Sequence, residues 1–484
     1  MARTPRFPVS LNNPLRALLW CTALAVITGA VWPSSAGSTT VVYRCVLTGA
    51  QEVGPVATAA FGGGELFIDT DVNTVTYRIV FGGMGSAETA AHIHGPAAPG
   101  VNAGVLVALP AGNPKVGVWA YAEAQEADIL AGRTYVNVHS VANPAGEIRG
   151  QVVPLNAQLD GGQEVGPVGT PAQGWGVFTI DTVANQLNYH IAFAGLTGAE
   201  TAAHIHGTAI HGTNAGVLVG LPAGSPKIGT WAYPEALELD IIYGRTYVNI
   251  HSVPFPAGEI RGQIVSTVAV MDGLQEVGPI ITPARGIALI SLDQAIDDLG
   301  FDIRIGGLLG PEIGQHIHGF APPGMNAGVL FGLPPGPRKL GVWGYGAAQE
   351  AGILDGLTYI NIHTNPNPGG EIRGQIHGFE ASPGTDAPEL LASSTGSLEN
   401  WPNPFGARTT IRFELPRETT VQLNVVDVAG RRVRNLVSET LTPGPHEAIW
   451  DGRDEAGEQV ASGVYFYVLE TGEGAASRTM TLVR

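Results

Sequence analysis

The sequence predicts an all-β protein: three tandem antiparallel β-sandwich or barrel domains followed by a smaller C-terminal β-sandwich. Three observations carry that expectation. The chain repeats itself at a fixed interval, each repeat alternates apolar and polar residues with a period of two, and Gly and Pro turns punctuate it throughout. With 67 Gly and 35 Pro among 484 residues, turn formers make up about a fifth of the chain, below the roughly 25–30% that marks low-complexity disorder. Apolar residues, at 44%, suffice for buried cores. Charged residues, at 14%, fall well short of the usual figure of about 25%, which argues against coiled coils and long surface helices.

The interval is 112 residues. Gln-Glu-Val-Gly-Pro begins at Gln51, Gln163 and Gln275, His-Ile-His-Gly at His92, His204 and His316, and Gly-Glu-Ile-Arg-Gly-Gln at Gly146, Gly258 and Gly370. A period this long fits a self-contained domain and not a solenoid repeat. The units run over residues 40–154, 155–266 and 267–379.

Ahead of them, Arg3, Arg6 and Arg16 precede an apolar run from Ala17 to Trp32, and small residues follow at Ser34-Ser35-Ala36. A basic head, an apolar stretch and a small-residue cleavage site describe a secretory signal peptide over residues 1–36. The run is short for a membrane span of about 20 residues, and no other run reaches that length. The expected mature protein is therefore secreted or displayed on the outer cell surface, with no transmembrane segment. Cleavage removes Cys21 and leaves Cys45 as the single thiol, which excludes a disulfide-stapled scaffold and a Cys-rich metal site. Cys45 is expected to be a small buried hydrophobe. A balance of 25 Lys+Arg against 42 Asp+Glu, formal net charge −17, excludes a nucleic-acid partner, which needs a cationic surface.

Within the first unit, residues 74–81 place Val75, Tyr77, Ile79 and Phe81 on one face and Thr74, Thr76, Arg78 and Val80 on the other, a strand with one buried and one wet face. Asp71-Val72-Asn73 supplies the turn after a strand at 65–69. The second unit repeats this pair at 178–181 and 186–193. Further strands are expected at 104–109, 116–120, 135–139 and 147–152, and a short helix at 122–130. Trp119, Trp231 and Trp343 are expected as core anchors, and Asp69 and Asp181 as turn residues. His190 takes the place of Arg78 and Asp302 and is expected to be an ordinary surface residue. His211 takes the place of Pro99 and Pro323, so any role it has belongs to one copy.

Nine histidines occupy equivalent positions: His92, His94 and His139; His204, His206 and His251; His316, His318 and His363. Residues two apart on a strand leave the same face with Cα atoms roughly 6.5–7 Å apart, so His92 and His94 point together while Ile93 turns inward. In the strand at 135–139 the valines take one face, and Asn137 and His139 the other. Three imidazoles on one face suit Cu or Zn, with a coordination position left open. The same residues allow a second reading, a hydrogen-bond network around Asn137, completed by Glu147 and Arg149, that locks a loop. No Ser/His/Asp arrangement or carboxylate pair recurs in all three units, so no catalytic residue is assigned and the balance leans away from an enzyme.

Leu-Thr-Gly-Ala-Gln-Glu-Val, Ala-His-Ile-His-Gly-Pro, Tyr-Val-Asn-Val-His and Gly-Glu-Ile-Arg-Gly-Gln together resemble the CHRD domain, named from chordin and common in bacterial secreted proteins. The resemblance covers all three units. It implies architecture more than activity, because that family has no established general chemistry. A weaker similarity is to copper/zinc superoxide dismutase, whose copper site has a His-x-His strand and a later strand of the type seen here from Gly132 to His139 and from Gly244 to His251. The third copy departs from it at Gly356-Leu357-Thr358. That family's bridging histidine and zinc-loop cluster have no counterparts between His94 and His139, and its cysteines are missing. The similarity implies a Cu-only or Zn-only site, with dismutase-like chemistry in doubt.

Residues 380–398, rich in Ser, Pro, Gly and Ala, read as a linker. Over 399–484, strands are expected at 410–415, 421–428, 464–469 and 477–483, with Trp450 and Tyr465 in the core. Asn400-Trp401-Pro402-Asn403-Pro404-Phe405, Asp427 to Arg431, Trp450-Asp451-Gly452 and Ser462-Gly463-Val464-Tyr465 resemble type IX secretion sorting domains and the immunoglobulin-like domain of flagellar hook-capping proteins. The resemblance implies an immunoglobulin-like β-sandwich and the secretion machinery as a partner. The chain as a whole reads as a secreted or surface-displayed bacterial binding or structural module for an extracellular or cell-surface ligand. The alternative is a metal-binding protein carrying Cu or Zn.

Overall fold

A computed structural model of the protein describes residues 40–377 and 379 and, in the tail, residues 399–402, 405–415, 419–427, 431–471 and 474–483. The segments read as signal peptide (1–36) and linker (380–398) lie outside the described residues. Among the described residues, no helix is long and apolar enough to cross a membrane.

The first repeat contains β1 (Thr40–Thr48), β2 (Phe61–Asp69), β3 (Thr74–Gly82), β4 (Glu88–His94), β5 (Val105–Ala108), β6 (Lys115–Ala120), α1 (Glu123–Leu130), β7 (Thr134–Ser140) and β8 (Ile148–Val152). The strands form one antiparallel sheet in the order β5-β4-β7-β8-β1-β2-β3-β6. It rolls around a core that includes Cys45, Val75, Tyr77, Ile79, Phe81, Ile93, Trp119, Val136, Val138 and Ile148. The second and third repeats build the same eight-stranded sheet from their own residues, each with its own apolar core. The protein is therefore all-β, as its alternation predicts. The hairpin between β2 and β3 is set by local chemistry: the Asp69 carboxylate accepts the N–H groups of Asp71 and Val72. Asn73 and its equivalents Asn185 and Asp297 take a left-handed backbone with φ of 54°, 52° and 59°, a conformation that Asn and Asp tolerate better than most residues.

The tail adds a three-stranded sheet (Glu399–Trp401, Thr409–Leu415, Gly444–Trp450) and a four-stranded sheet (Arg432–Leu441, Thr419–Asp427, Gly463–Thr471, Gly474–Leu482). Phe405, Trp450, Tyr465 and Tyr467 lie in one core between them. The strands Arg432–Leu441 and Gly444–Trp450 escaped the sequence reading. The first is half-exposed along most of its length and has no clean period of two.

The three repeats close on one another. Val153, at the end of the first, shares an apolar cluster with Trp175 and Val177 of the second. Val265, at the end of the second, shares one with Ile287 and Leu289 of the third. His377, at the end of the third, hydrogen-bonds Glu65 of the first at 2.7 Å and meets the Phe67 ring edge-on. Residues 153, 265 and 377 are equivalent positions, as are 177, 289 and 65, so the first repeat docks on the second, the second on the third and the third on the first. Polar contacts follow the same cycle. Arg78 pairs with Asp272 at 2.6 Å, and Asp160 pairs with Arg304 at 2.5 Å and with Arg338 at 2.9 Å.

This closure corrects the reading of one strand face. The face of β3 that carries Arg78 is covered by a neighbouring repeat. His190, expected at the surface, is half-buried and stacks on Trp175 with ring centroids 5.2 Å apart. His211, specific to one copy, is buried, and its Nδ1 lies 2.9 Å from Ser291 Oγ of the third repeat. Burial holds its imidazole down at about 4, so it is neutral at neutral pH.

Candidate metal centre

β4 and β7 pair antiparallel with His92 opposite Asn137 and His94 opposite Tyr135. Ile93, Val136 and Val138 turn into the core with no exposed surface. Their alternation forces His92, His94, Asn137 and His139 onto the outer face. There the three imidazoles converge. In every repeat one nitrogen from each histidine lies within 4.8 Å of the other two: His92, His94 and His139; His204, His206 and His251; His316, His318 and His363.

The tautomers follow from the partners. His94 Nδ1 is 3.1 Å from Ala103 O, and His139 Nδ1 is 3.1 Å from Pro144 O. His206 and His251 make the same contacts with Ala215 and Pro256, and His318 and His363 with Ala327 and Pro368. A carbonyl oxygen only accepts, so each Nδ1 carries the proton and each Nε2 presents a lone pair. Donation of the second ring N–H to a backbone carbonyl is the usual outer support of a metal-ligating histidine. The third donor is Nδ1 of His92, 3.1 Å from His139 Nε2. Its equivalent in the second repeat is 3.2 Å from His251 Nε2. Two nitrogens bound tetrahedrally at about 2.0–2.1 Å lie about 3.3 Å apart, so the spacing fits a shared ion. His94 Nε2, His206 Nε2 and His318 Nε2 are buried and have no hydrogen-bond partner among the described residues, an arrangement that costs free energy unless another group fills the point they face.

Burial opposes protonation of six of the nine rings. Burial, with the neighbouring His139, holds His92 below the ordinary imidazole range. Burial, with His92, His139 and Arg149, does the same for His94 against the opposing bond to Ala103. His206, His251, His316 and His318 shift in the same direction, with burial the first cause. Tyr135 stacks on His94 at 4.9 Å, and its hydroxyl accepts the Ala103 N–H at 3.0 Å, which ties the ring to the loop that supplies its carbonyl. The Arg149 guanidinium lies 3.5 Å over the same tyrosine ring.

Glu147 and Arg149, weighed as members of a histidine network, brace other segments. Glu147 is buried and accepts from Thr58 Oγ1 and Gly85 N, both at 2.7 Å. Arg149 donates to Val101 O at 2.9 Å and Asn102 Oδ1 at 3.2 Å. The supporting carbonyls of Ala103 and Pro144 could not be read from the sequence, because every residue type offers the same backbone oxygen. Tyr135 could have been: it recurs as Tyr247 and Tyr359 on the face of its strand that carries the histidine.

The family described as the CHRD domain matches residues 43–152, 155–264 and 267–376. The FlgD Ig-like domain family matches residues 403–474. Chordin of Xenopus laevis is 29% identical over 255 residues, covering 46% of this chain and 26% of that protein. Chordin of Danio rerio is 26% identical over 254 residues, with the same two shares. The chain thus spans about a quarter of the length of these relatives. The crystal structure of dimeric latent PorU from Porphyromonas gingivalis aligns at 12% identity over 68% of this chain and 34% of that one, with a TM-score of 0.16.

Proposed function

The chain belongs to the CHRD domain family, and from that premise we propose that it is a secreted or surface-displayed binding module whose three repeats each hold one copper or zinc ion. One observation carries the reading: the same three imidazoles converge in all three repeats. The ligands are His92, His94 and His139, then His204, His206 and His251, then His316, His318 and His363. A nitrogen-only set favours Cu(II) over Zn(II). No residue is given a catalytic role.

Equilibrium dialysis of the full chain at neutral pH should give three copper ions per chain, bound more tightly than zinc. The imidazoles must be neutral to bind, so affinity should fall as the pH drops, with a midpoint below the ordinary histidine value of about 6.5, in keeping with the downward shifts. Fewer than one ion per repeat at saturation would overturn the metal reading.

The organisation proposed around these sites is a signal peptide at 1–36, CHRD units at 40–154, 155–266 and 267–379, a linker at 380–398 and a delivery domain at 399–484. The match to the FlgD Ig-like family supports an immunoglobulin-like tail, and the motif resemblance supports its engagement by outer-membrane secretion machinery. Deleting residues 399–484 should leave the protein in the periplasm of a host that has the matching machinery, as read by fractionation. Normal surface display of the shortened chain would remove that role.

A further inference from the structure

The Gln-Glu-Val-Gly-Pro motif lies apart from the histidine ligands, yet its glutamate is buried in every repeat: Glu52 and Glu164 are 8% exposed and Glu276 4%. Gln51 seats the turn by donating from Nε2 to Val46 O at 2.6 Å and accepting the Gln151 N–H at 3.2 Å. Glu52 then reaches the outer face of β7, where its Oε2 accepts from Asn137 Nδ2 at 3.4 Å. Glu164 with Asn249 and Glu276 with Asn361 repeat the contact at the same distance.

In all three repeats the other two oxygens, glutamate Oε1 and asparagine Oδ1, are buried without a partner among the described residues. They are neighbours. A Cβ built on Gly146 would lie 2.5 Å from both Glu52 Oε1 and Asn137 Oδ1, and Gly258 and Gly370 stand in the same relation to their pairs. These glycines have φ of +136°, +134° and +132°, which explains why the Gly-Glu-Ile-Arg-Gly-Gln motif opens with a residue that has no side chain. Two acceptor oxygens brought this close in a buried site repel. Turning the amide over only changes which carboxyl oxygen is opposed. A hydrogen on the carboxyl removes the conflict, because a protonated carboxyl carries one donor.

We propose that Glu52, Glu164 and Glu276 are proton-binding sites, held in the folded protein as neutral carboxylic acids that each close a two-bond ring with Asn137, Asn249 or Asn361. The ring fastens the motif turn to the strand that carries His139 or its equivalent. The charged group facing Glu52 is Arg149 on β8. It lies over Tyr135 and donates to Val101 O, Asn102 Oδ1 and Gln151 Oε1. Arg261 and Arg373 face Glu164 and Glu276, and Asp160 and Asp272 face the same two carboxyls with like charge. Burial pushes all three carboxyls up to about 7 against the pull of the arginines and asparagines.

A carboxyl raised in the folded state contributes stability that is complete below its unfolded value. That stability is lost as the pH rises towards about 7. The triple variant E52Q/E164Q/E276Q replaces each acid with an amide that can complete the same two bonds without a titrating proton. Its Tm should match that of the parent near pH 4.5 and exceed it by several degrees at pH 8. At pH 6, where ordinary carboxyls with pKa values of about 4 are ionised, the parent should show an infrared carboxylic-acid carbonyl band that the triple variant lacks. Each single variant should lose a third of that band, which keeps the test open if the triple variant does not fold. A parent without the band, and glutamine variants that melt below it at neutral pH, would overturn the proposal. That pair of results would mean ionised carboxylates held by the arginines or bridged to asparagine by water.

Discussion

With His204 and His206 both replaced by Ala, the chain should bind two copper ions in place of three, with the remaining two unchanged in affinity. Each ligand set comes from β-strands of a single repeat, so removing one leaves the others intact. The loss should be complete at the altered repeat, because His251 alone offers one nitrogen. Stability should change little in the absence of metal. His206 Nε2 has no partner to lose among the described residues, Ile205 between the two keeps its place in the core, and the deficit is two bonds, His206 to Ala215 O and His204 to His251 Nε2. Each hydrogen bond of this kind is worth about 0.5–1.5 kcal/mol. If the histidines were architectural, the same variant would bind as much copper as its parent and melt well below it. Dialysis beside thermal melts of both proteins separates the two outcomes.

The second large effect is expected at the junction of the second and third repeats. Asp302→Ala should destabilise the chain by about 3 kcal/mol, the low end for breaking a buried pair because Asp160 still faces both arginines, measured by urea unfolding. The Asp302 carboxylate accepts from Arg338 Nε at 2.9 Å and Nη2 at 2.7 Å, and Arg304 lies 3.8 Å away. Burial works against its ionisation, yet Arg304 and Arg338 outweigh burial and hold the carboxyl below the usual range. Removing it leaves two guanidinium groups at an inter-repeat contact with Asp160 as their remaining counter-charge. The exposed pair Arg133–Asp128 is the control. Asp128→Ala should cost no more than about 1 kcal/mol, as surface pairs do. Equal effects for the two variants would show that the repeats lean on one another far less than their buried charges imply.

Much of each repeat was legible because its determinants are local. The period of two in β3 places Val75, Tyr77, Ile79 and Phe81 in the core. The same rule on β4 and β7 puts His92, His94 and His139 on one face, and the strand pairing brings them together. Alternation distinguishes two faces without saying what covers either. Arg78, His190 and Asp302 were therefore read as solvent-facing, although all three are at least half-buried. Arg78 meets Asp272 of another repeat, 194 positions away, and His190 stacks on Trp175. Glu52 was missed for a related reason. Its burial comes from Asn137 and Gly146, and neither is near it in the sequence.

The closed cycle of repeats also means that their order is written into the contact residues. Positions 48, 160 and 272 are equivalent, and they hold Thr48, Asp160 and Asp272. Asp160 faces Arg304 and Arg338 of the third repeat, and Asp272 faces Arg78 of the first; in the second repeat the position equivalent to Arg304 holds uncharged Ala192. A chain re-cut to run second, third, first would preserve every junction. A chain with the second and third repeats exchanged would set buried Asp272 against Ala192 and His190 and leave Arg304 and Arg338 facing Thr48. Three copies of one ancestral domain have thus become parts that are not interchangeable. Two of the three junctions are matched by charge, which disfavours wrong assembly between repeats of one chain or of two chains.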